Sequence, residues 1–511
     1  PAAAPPSRGA AAGFSINGAR GLVERTLLRR VIKVVLRFAL RVFFRRVEVV
    51  GRERVPREGA CLFVLNHPNA LIDPALLLAY APRRVSFLAK SPLFRMPVVS
   101  FFVRALDSIP VYRRQDEGGD TASRNRETFA RAADLLRRGG TIAICPEGAS
   151  HSEPYLLPLK SGAARIALGA VGVQAEGGGP KDEGGRAGDE GAAVPDSPPA
   201  LPPSSLNLKV VPAGLYYTAK TTFRSGALLY FGEPIPVEPA PTAPDGEPPR
   251  EAVRALSDRI AGAMRALTLG ADRHEALQMV ARAERIFSAA GEDDAEEGRT
   301  LERELRLRRR FVEAYAFHRQ RSPERVGALE RRISAYEEEL RQAGLEDPRQ
   351  LSPATVADYA RVRGLAARVA AFLLLLPAAA AGAALHYPAY KLAGFLATRL
   401  ARQYDDVLST FKIAAALLLF PLTWGALAAA LYALAGWWGV LAALVCAPPA
   451  GYAALRAREE LDRLVAGTRA ALFFVRERSF FRQLLEERRR IRREILALGD
   501  EYERASGAAE V

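Results

Sequence analysis

The stretch NHPNALID at Asn66–Asp73 directly follows an apolar, strand-like run, Ala60–Leu65. His67 is one of only five histidines in 511 residues, and it lies six positions before Asp73. A neutral imidazole held by a carboxylate is a common general base near neutral pH. The stretch therefore indicates an enzyme, with the open alternative that Asp73 only caps a helix over Ala75–Tyr80.

The spacing of this pair predicts where the two residues lie. At about 100° per residue, two side chains six positions apart differ by roughly 240° around a helix, so they cannot share a helical face. Pro68 also disfavours helical geometry at His67. We therefore expect a junction between a strand and a helix, with His67 on the loop and Asp73 near the start of the helix.

Three further segments place polar or turn residues at the end of an apolar run. They are DSIPVYRR at Asp107–Arg114, CPEGASHSEP at Cys145–Pro154 and VVPAGL at Val210–Leu215. In this order, the four segments resemble the four sequence blocks of the glycerolipid acyltransferases, which acylate glycerol 3-phosphate and lysophosphatidic acid. The resemblance covers about residues 50–240 of the chain.

The resemblance implies roles for individual residues. His67 and Asp73 fall on the catalytic His-Asp block, and the matching substrate-binding positions are Arg113, Glu147, Gly148 and Pro212. In such an enzyme, the histidine takes the proton of the acceptor hydroxyl, which attacks a thioester directly, so no serine or cysteine nucleophile is needed.

The acceptor's phosphate needs cations, and the basic residues of these blocks are the candidates. Arg113 is the expected phosphate ligand, since a guanidinium matches phosphate oxygens, and Lys160 or Arg114 would assist it. Glu147 is expected either to hold an acceptor hydroxyl or to fix the arginine.

Two positions depart from the general family pattern. Five residues separate His67 from Asp73 where the family usually has four. This longer spacing, SIPVYRR and SHSEP resemble the branch that acylates glycerol 3-phosphate or dihydroxyacetone phosphate. Ala149 stands where the family usually has a hydroxyl group, which removes one hydrogen bond.

The resemblance implies an α/β fold in which helices flank a mixed sheet. The charge pattern and the apolar runs predict that a charged helical region and C-terminal membrane helices follow it. Composition predicts the other boundaries. The predicted regions are a disordered N-terminus (1–18), a basic amphipathic helix at the membrane interface (19–48), the acyltransferase domain (49–240) with a disordered insertion (172–207), a charged helical region (251–347), a membrane-embedded hydrophobic region (366–455) and a charged helical tail (456–511).

The net charge of +15 indicates an acidic partner, either nucleic acid or an anionic membrane. Basic residues recur at every fourth position from Arg25 to Arg45 among apolar residues, which favours a membrane surface. The alternative is a helix that packs on the catalytic domain. Charges of both signs alternate over 251–345, which is typical of solvated helices and not of a nucleic-acid arm.

Two runs are apolar enough for a bilayer. Val369–Tyr387 and Ile413–Leu455 contain no charged residue, and the second is long enough for two passes. Basic residues flank both runs, so the flanks should face the cytoplasm, which favours an even number of crossings. We expect a hairpin over Ile413–Leu455, with Val369–Tyr387 re-entrant or paired with Tyr390–Leu400.

The three cysteines lie in apolar runs and indicate buried thiols in a reducing compartment, without a disulfide or a metal site. No cofactor is expected, since acyl-CoA or acyl carrier protein would be a co-substrate. The expected partners are membrane lipids, an acyl-thioester donor and a phosphorylated glycerol-type acceptor, with no nucleic acid and no metal. The expected location is the cytoplasmic face of a membrane, the inner membrane in a bacterium.

Three functions are consistent with these patterns. The first is acylation of glycerol 3-phosphate or dihydroxyacetone phosphate in phospholipid biosynthesis. The second is the same chemistry on lysophosphatidic acid (1-acylglycerol 3-phosphate). The third is a non-catalytic membrane scaffold with an acyltransferase-like domain, which predicts loss of the base or its partner.

Overall fold

A computed structural model describes residues 16–113, 121–174, 206–243, 247–289, 300–345, 347–348, 362–401 and 405–507. The expectations for the first fifteen residues, for most of the insertion at 172–207 and for Arg114 lie outside the described residues.

The secondary structure alternates strands and helices in the first half of the chain and is helical in the second. The strands are β1 (Arg46–Val50), β2 (Cys61–Leu65), β3 (Ser86–Lys90), β4 (Ile109–Val111), β5 (Thr141–Ile144), β6 (Val173–Gln174), β7 (Lys209–Tyr217), β8 (Gly226–Phe231), β9 (Ile235–Pro236) and β10 (Pro241–Thr242). The helices are α1 (Ile16–Phe43), α2 (Ile72–Tyr80), α3 (Pro97–Ala105), α4 (Thr121–Arg137), α5 (Gly162–Val171), α6 (Arg250–Leu267), α7 (His274–Ala289), α8 (Leu301–Arg321), α9 (Pro323–Gln342), α10 (Val362–Ala401), α11 (Asp405–Arg476) and α12 (Arg478–Gly507).

The main sheet is mixed, in the order β1-β8-β7-β2-β5-β3-β4, with β9 paired to β7. The strands from β7 to β4 are all parallel, whereas β8 runs antiparallel to β7. Helices cover both faces, so the predicted fold class is confirmed. Because the carboxyl ends of parallel strands meet at one edge, the segments that follow β2, β4, β5 and β7 lie close together.

The central strand β2 is buried on both faces, which explains its uninterrupted apolar sequence. Leu62 and Val64 face a core formed with α4, α5 and α6. Cys61, Phe63 and Leu65 face a second core formed with α1 and α2. This packing fixes β2, and with it the start of the loop that carries His67.

Helix α6 belongs to the catalytic domain, which differs from its predicted place in the charged helical region. Val253, Leu256, Ile260 and Met264 recur at helical spacing and pack against the sheet. The sequence prediction was wrong here because the charges on the outer face of the helix hid its apolar stripe.

Helix α1 is turned differently from the prediction of a lipid-facing basic stripe. Lys33 Nζ and Arg37 Nε donate to the carbonyls of Ala81 and Ala79, at 2.9 and 2.7 Å, where α2 ends. Arg29 Nε donates to the carbonyl of Ala105, where α3 ends. The exposed side chains of α1 include five large apolar ones: Leu27, Val31, Val34, Val35 and Phe38.

The charged helical region and the charged tail form one bundle. Ile286 of α7 and Ile333 of α9 share a core with Phe481 and Leu484 of α12. The tail therefore packs on helices that lie more than a hundred residues before it in sequence, on the other side of the apolar region.

Two helices are long and apolar enough to cross a membrane, over Ala366–Ala401 and Asp405–Arg476. Helix α11 breaks at Ala435 and Gly436, where Gly436 has a φ of 57°. A Cβ at Gly439 would lie 2.2 Å from the Leu431 carbonyl oxygen, so the two arms of α11 pack closely and form the predicted hairpin.

The expected arrangement of the first apolar run differs from the structure. Helix α10 is continuous from Val362 to Ala401, with Pro377 and Pro388 inside it. Val369–Tyr387 is therefore neither re-entrant nor paired with the segment that follows it. The burial expected of all three cysteines was also wrong, since Cys61 is buried but Cys145 is half-buried and Cys446 is exposed.

Candidate active site

The loop between β2 and α2 carries His67 at the carboxyl edge of the sheet, as the spacing predicts. Asn66 holds the start of the loop to β7, because its side chain donates to the Leu215 carbonyl and accepts from the Leu215 N–H, at 3.0 and 2.7 Å. Ala70 adopts a positive φ of 33°. This turn accommodates the longer spacing before α2 begins at Ile72.

His67 and Asp73 form a hydrogen-bonded pair, with 2.9 Å between Nδ1 and Oδ2. The Asp73 side chain is fully buried, whereas that of His67 is 20% exposed. Asp73 also accepts from the Asn69 N–H at 2.7 Å and from the Tyr217 hydroxyl at 2.6 Å. Three donors therefore converge on the buried carboxylate, and the carboxylate orients the imidazole.

The surroundings of His67 favour its protonated form. Burial opposes the imidazolium, but the nearby Cys145 sulfur and the Asp73 carboxylate outweigh it and raise the pKa of His67 well above its ordinary value. Burial and the Asp73 charge likewise raise the pKa of Tyr217. Its hydroxyl therefore stays protonated and donates a hydrogen bond to Asp73.

Glu147 lies behind the base and holds its backbone. Its Oε1 accepts from the His67 N–H at 2.8 Å, and its Oε2 accepts from the Leu157 N–H at 2.9 Å. Oε2 also lies 2.5 Å from Nε2 of His151. Glu147 is 4% exposed, and both oxygens are occupied by protein donors. This geometry corresponds to positioning of His67 and not to the expected hydrogen bond with an acceptor hydroxyl.

Two cations meet at Gly148, next to Glu147. Arg113 Nη1 donates to the Gly148 carbonyl at 2.8 Å. Gly148 has a φ of 78°, and a Cβ there would lie 2.3 Å from Lys160 Nζ. The backbone conformation therefore favours glycine, and a larger residue would also have to displace the end of the Lys160 side chain. The structure brings together Arg113, Gly148 and Lys160, as their predicted roles require.

Pro212 does not lie at the site's surface. It is buried within β7, opposite Val64 of β2, and its carbonyl accepts from the Gly232 N–H at 2.8 Å. This placement gives Pro212 a packing role in the sheet, so the predicted contact with substrate is not supported by the geometry.

Sequence reasoning missed two residues of the site. Tyr217 and Lys220 follow the fourth block but are separated from His67 by about 150 positions. The signal that would have found Tyr217 is the parallel pairing of β2 with β7, which brings the end of β7 alongside the His67 loop.

The described residues contain no group of three or more His, Cys, Asp and Glu side chains placed to hold a metal ion.

Two family models match the chain. The Acyltransferase model matches residues 46–180, and the model of the glycerol-3-phosphate acyltransferase 2 C-terminal domain matches residues 293–503. The fold and the site thus define a protein of the acyltransferase class.

Two yeast enzymes and one solved structure are similar to this chain. Glycerol-3-phosphate O-acyltransferase 1 of Saccharomyces cerevisiae is 24% identical over 75% of this chain, and glycerol-3-phosphate O-acyltransferase 2 of that yeast is 27% identical over 59%. The chain spans 58% and 37% of the length of these two relatives. The crystal structure of the lysophosphatidic acid acyltransferase PlsC from Thermotoga maritima is 20% identical with a TM-score of 0.31, covering 49% of this chain and 87% of that one.

The chain thus matches an acyltransferase domain over residues 46–180 and, over residues 293–503, the C-terminal domain of glycerol-3-phosphate acyltransferase 2.

Proposed function

We propose that this protein is a membrane-bound O-acyltransferase that transfers a fatty acyl group from a thioester to a hydroxyl of glycerol 3-phosphate or dihydroxyacetone phosphate. The hydrogen bond between His67 Nδ1 and Asp73 Oδ2 is the observation that supports this most directly. Because Nδ1 donates to Asp73, the lone pair of neutral His67 is on Nε2, the nitrogen that acts as general base.

The proposed reaction has two steps. Nε2 takes the proton of the acceptor hydroxyl while its oxygen attacks the thioester carbonyl, giving a tetrahedral intermediate. The C–S bond then breaks, and the imidazolium returns the proton to the departing thiolate, so the products are an ester and a free thiol. Asp73 stabilises the imidazolium between the two steps.

The acceptor's phosphate is proposed to bind between Arg113 and Lys160. Both cations lie against the Gly148 peptide, and Gly148 follows the residue that holds the His67 backbone. A phosphate held by a guanidinium and an ammonium at this point would direct the attached glycerol toward the base.

Exposed apolar surfaces support the membrane location. Two apolar helices are long enough to cross a bilayer, and only 11% of the most apolar stretch of each is buried. Helix α1 adds exposed Val34 and Phe38, while Lys33 and Arg37 face the domain. A catalytic domain seated in this way would meet a long acyl chain without drawing it into water.

The names of similar proteins support glycerol 3-phosphate as the acyl acceptor. The two yeast proteins are named for glycerol 3-phosphate, and the C-terminal family model has the same acceptor in its description. The longer His-to-Asp spacing is consistent with that acceptor and leaves dihydroxyacetone phosphate as an equal candidate.

The test is an assay of the full-length protein, purified in detergent and returned to nanodiscs. Labelled acyl-CoA and acyl carrier protein thioesters are offered with glycerol 3-phosphate, dihydroxyacetone phosphate or lysophosphatidic acid. His67→Ala should lower the rate by roughly 10²- to 10⁴-fold, from lost general base catalysis. His274→Ala, at an exposed position, is the matched control and should keep the wild-type rate.

Each acceptor gives a distinct outcome. Turnover with lysophosphatidic acid alone would reassign the acceptor within the family. No transfer to any of the three acceptors would favour the scaffold function. Equal rates for His67→Ala and wild type would end the assignment of His67 as the base.

A further inference from the structure

The loop Thr218–Ser225 joins β7 to β8 and lies between the catalytic site and the apolar helices. It begins directly after Tyr217, whose hydroxyl donates to Asp73. We infer that Lys220 of this loop is a positioning residue, which links the loops around His67 to the start of α11 and makes the apolar hairpin part of the catalytic scaffold.

Lys220 binds both loops that surround the base. Its Nζ donates to the carbonyl of Pro68 at 3.0 Å, next to His67 in sequence. It also donates to Ser152 Oγ at 2.7 Å and to the His151 carbonyl at 3.4 Å. One ammonium group therefore holds the loop after β2 against the loop after β5.

The same residue binds the start of α11 through its backbone. The buried hydroxyl of Ser409 donates to the Lys220 carbonyl, and Lys412 Nζ donates to the carbonyl of Thr221 at 2.7 Å. Ser150 donates to Asp406, in the first turn of α11. Burial lowers the pKa of Lys220, while the charges of Asp406, Asp73 and Asp405 act in the opposite direction.

The far end of the loop contacts two other apolar segments. Arg224 has a positive φ of 67° and forms a salt bridge of 2.6 Å with Glu459, in the second arm of the hairpin. The Phe223 ring packs against Tyr390 of α10, with 5.9 Å between ring centroids. The loop is thus held by α10 and by both arms of α11, so a shift of these helices moves Lys220 and, through it, the carbonyl of Pro68.

The inference rests on the proposed acyltransferase activity for its kinetic test. In the full-length protein in nanodiscs, Lys220→Met should lower kcat by roughly 10- to 100-fold, because small displacements of a catalytic group have effects of that size. The KM values should change much less, since the Lys220 ammonium group donates to Pro68, His151 and Ser152 of the protein itself. The pH–rate profile should also shift, while Lys220→Arg, which keeps a cation, should recover most of the rate.

Lys209→Met is the matched control, because Lys209 lies at the opposite end of β7. A Lys220→Met protein with wild-type kcat and pH profile would overturn the inference. So would a loss in the Lys220→Arg or the Lys209→Met protein as large as that in the Lys220→Met protein.

The attachment of the loop Thr218–Ser225 to the apolar hairpin can also be tested without a change at Lys220. Arg224→Glu and Glu459→Arg should each lower kcat, and the double variant should lose less than the product of the two single effects. Strictly multiplicative losses would show that the hairpin does not act through this salt bridge.

An activity-independent readout separates this inference from the proposed function. Cys145 is half-buried beside His67, whereas Cys61 is fully buried. In a Cys446→Ser background, iodoacetamide should alkylate Cys145 faster after Lys220→Met than after Lys209→Met. Equal alkylation rates would overturn the inference, while absence of acyl transfer with faster alkylation would remove only the proposed function.

Discussion

The imidazole of His67 is a base only in its neutral form, so its pKa sets the pH range of the proposed reaction. Because that pKa is raised well above its ordinary value of about 6.5, kcat/KM should rise with pH through a limb on the alkaline side of that value. The same shift stabilises the fold fully below the ordinary pKa, and this stabilisation is lost as pH rises through the folded-state pKa.

A pH–rate profile of the nanodisc-embedded protein measures this limb. Cys145→Ser removes the sulfur that favours the imidazolium and should move the limb to lower pH. An unchanged limb in that variant would mean that Asp73 alone accounts for the shift.

Adjacent tyrosines on β7 allow a matched comparison. The Tyr217 hydroxyl donates to Asp73, whereas the Tyr216 hydroxyl donates at 2.9 Å to Glu304 of α8, away from the site. Tyr217→Phe removes one of three donors to a buried carboxylate and should lower kcat by about 10-fold, corresponding to roughly 1.4 kcal/mol. Tyr216→Phe should leave kcat unchanged, and steady-state kinetics of both variants checks the contrast.

Gly148 and Gly139 separate the effect of backbone strain from that of crowding. Both have a positive φ, but a Cβ at Gly139 meets nothing within 4 Å, whereas one at Gly148 meets Lys160 Nζ. Gly148→Ala should displace the lysine and raise the KM for the phosphorylated acceptor by roughly 10-fold, the loss of one charge-assisted contact. Gly139→Ala should cost about 1 kcal/mol of stability without changing that KM. Equal KM values would remove Lys160 from the phosphate site.

At this scale, sequence was informative where chemistry is local. His67 and Asp73 are only six positions apart, so their pairing could be predicted from the residue types and from Pro68. The hydrogen bonds from Tyr217 and Lys220 depend on β7 lying next to β2. The residue spacing within each segment does not indicate which strands are neighbours, so these contacts could not be predicted. The role of Glu147 was also inaccessible, since it depends on a backbone N–H of another loop.

Helix α1 shows what periodicity can and cannot predict for an element. The four-residue repeat of basic residues correctly indicates a helix with a basic face, but it does not tell which face meets the protein. Backbone carbonyls at the ends of α2 and α3 lack partners within their own helices, and they attract the cations of α1 inward. Leu40 and Phe43 are buried in the core, whereas five other apolar side chains of α1 are left exposed.

Removing one of these contacts should loosen the attachment of α1. Arg37→Met deletes the donor to the Ala79 carbonyl and should cost about 1–2 kcal/mol, at the lower end for a hydrogen bond that involves a charged group because Arg37 is half-buried. Hydrogen exchange of the amides of α2 should then be faster by roughly 5- to 30-fold, the equivalent change in a local opening equilibrium. Arg30→Met, at an exposed position of α1, is the control and should leave that exchange unchanged.

For the whole molecule, the sequence predicted the order of regions but not which of them join. The family model over residues 293–503 spans both charged regions and the apolar helices between them. Their apolar positions are spaced alike in α7, α9 and α12, so nothing in the sequence assigns α12 to a bundle whose other helices precede α10. That assignment depends on complementary shapes in a shared core.

The shared core of α7, α9 and α12 limits how many times the chain between α9 and α12 can cross a membrane. A path that leaves one side of a bilayer and ends packed against its own starting point must traverse that bilayer an even number of times. The chain between them forms three apolar helical segments, α10 and the two arms of α11. If two of them traverse the bilayer, the third has to lie along its surface. The bundle then holds both ends of the apolar region on the same side of the bilayer.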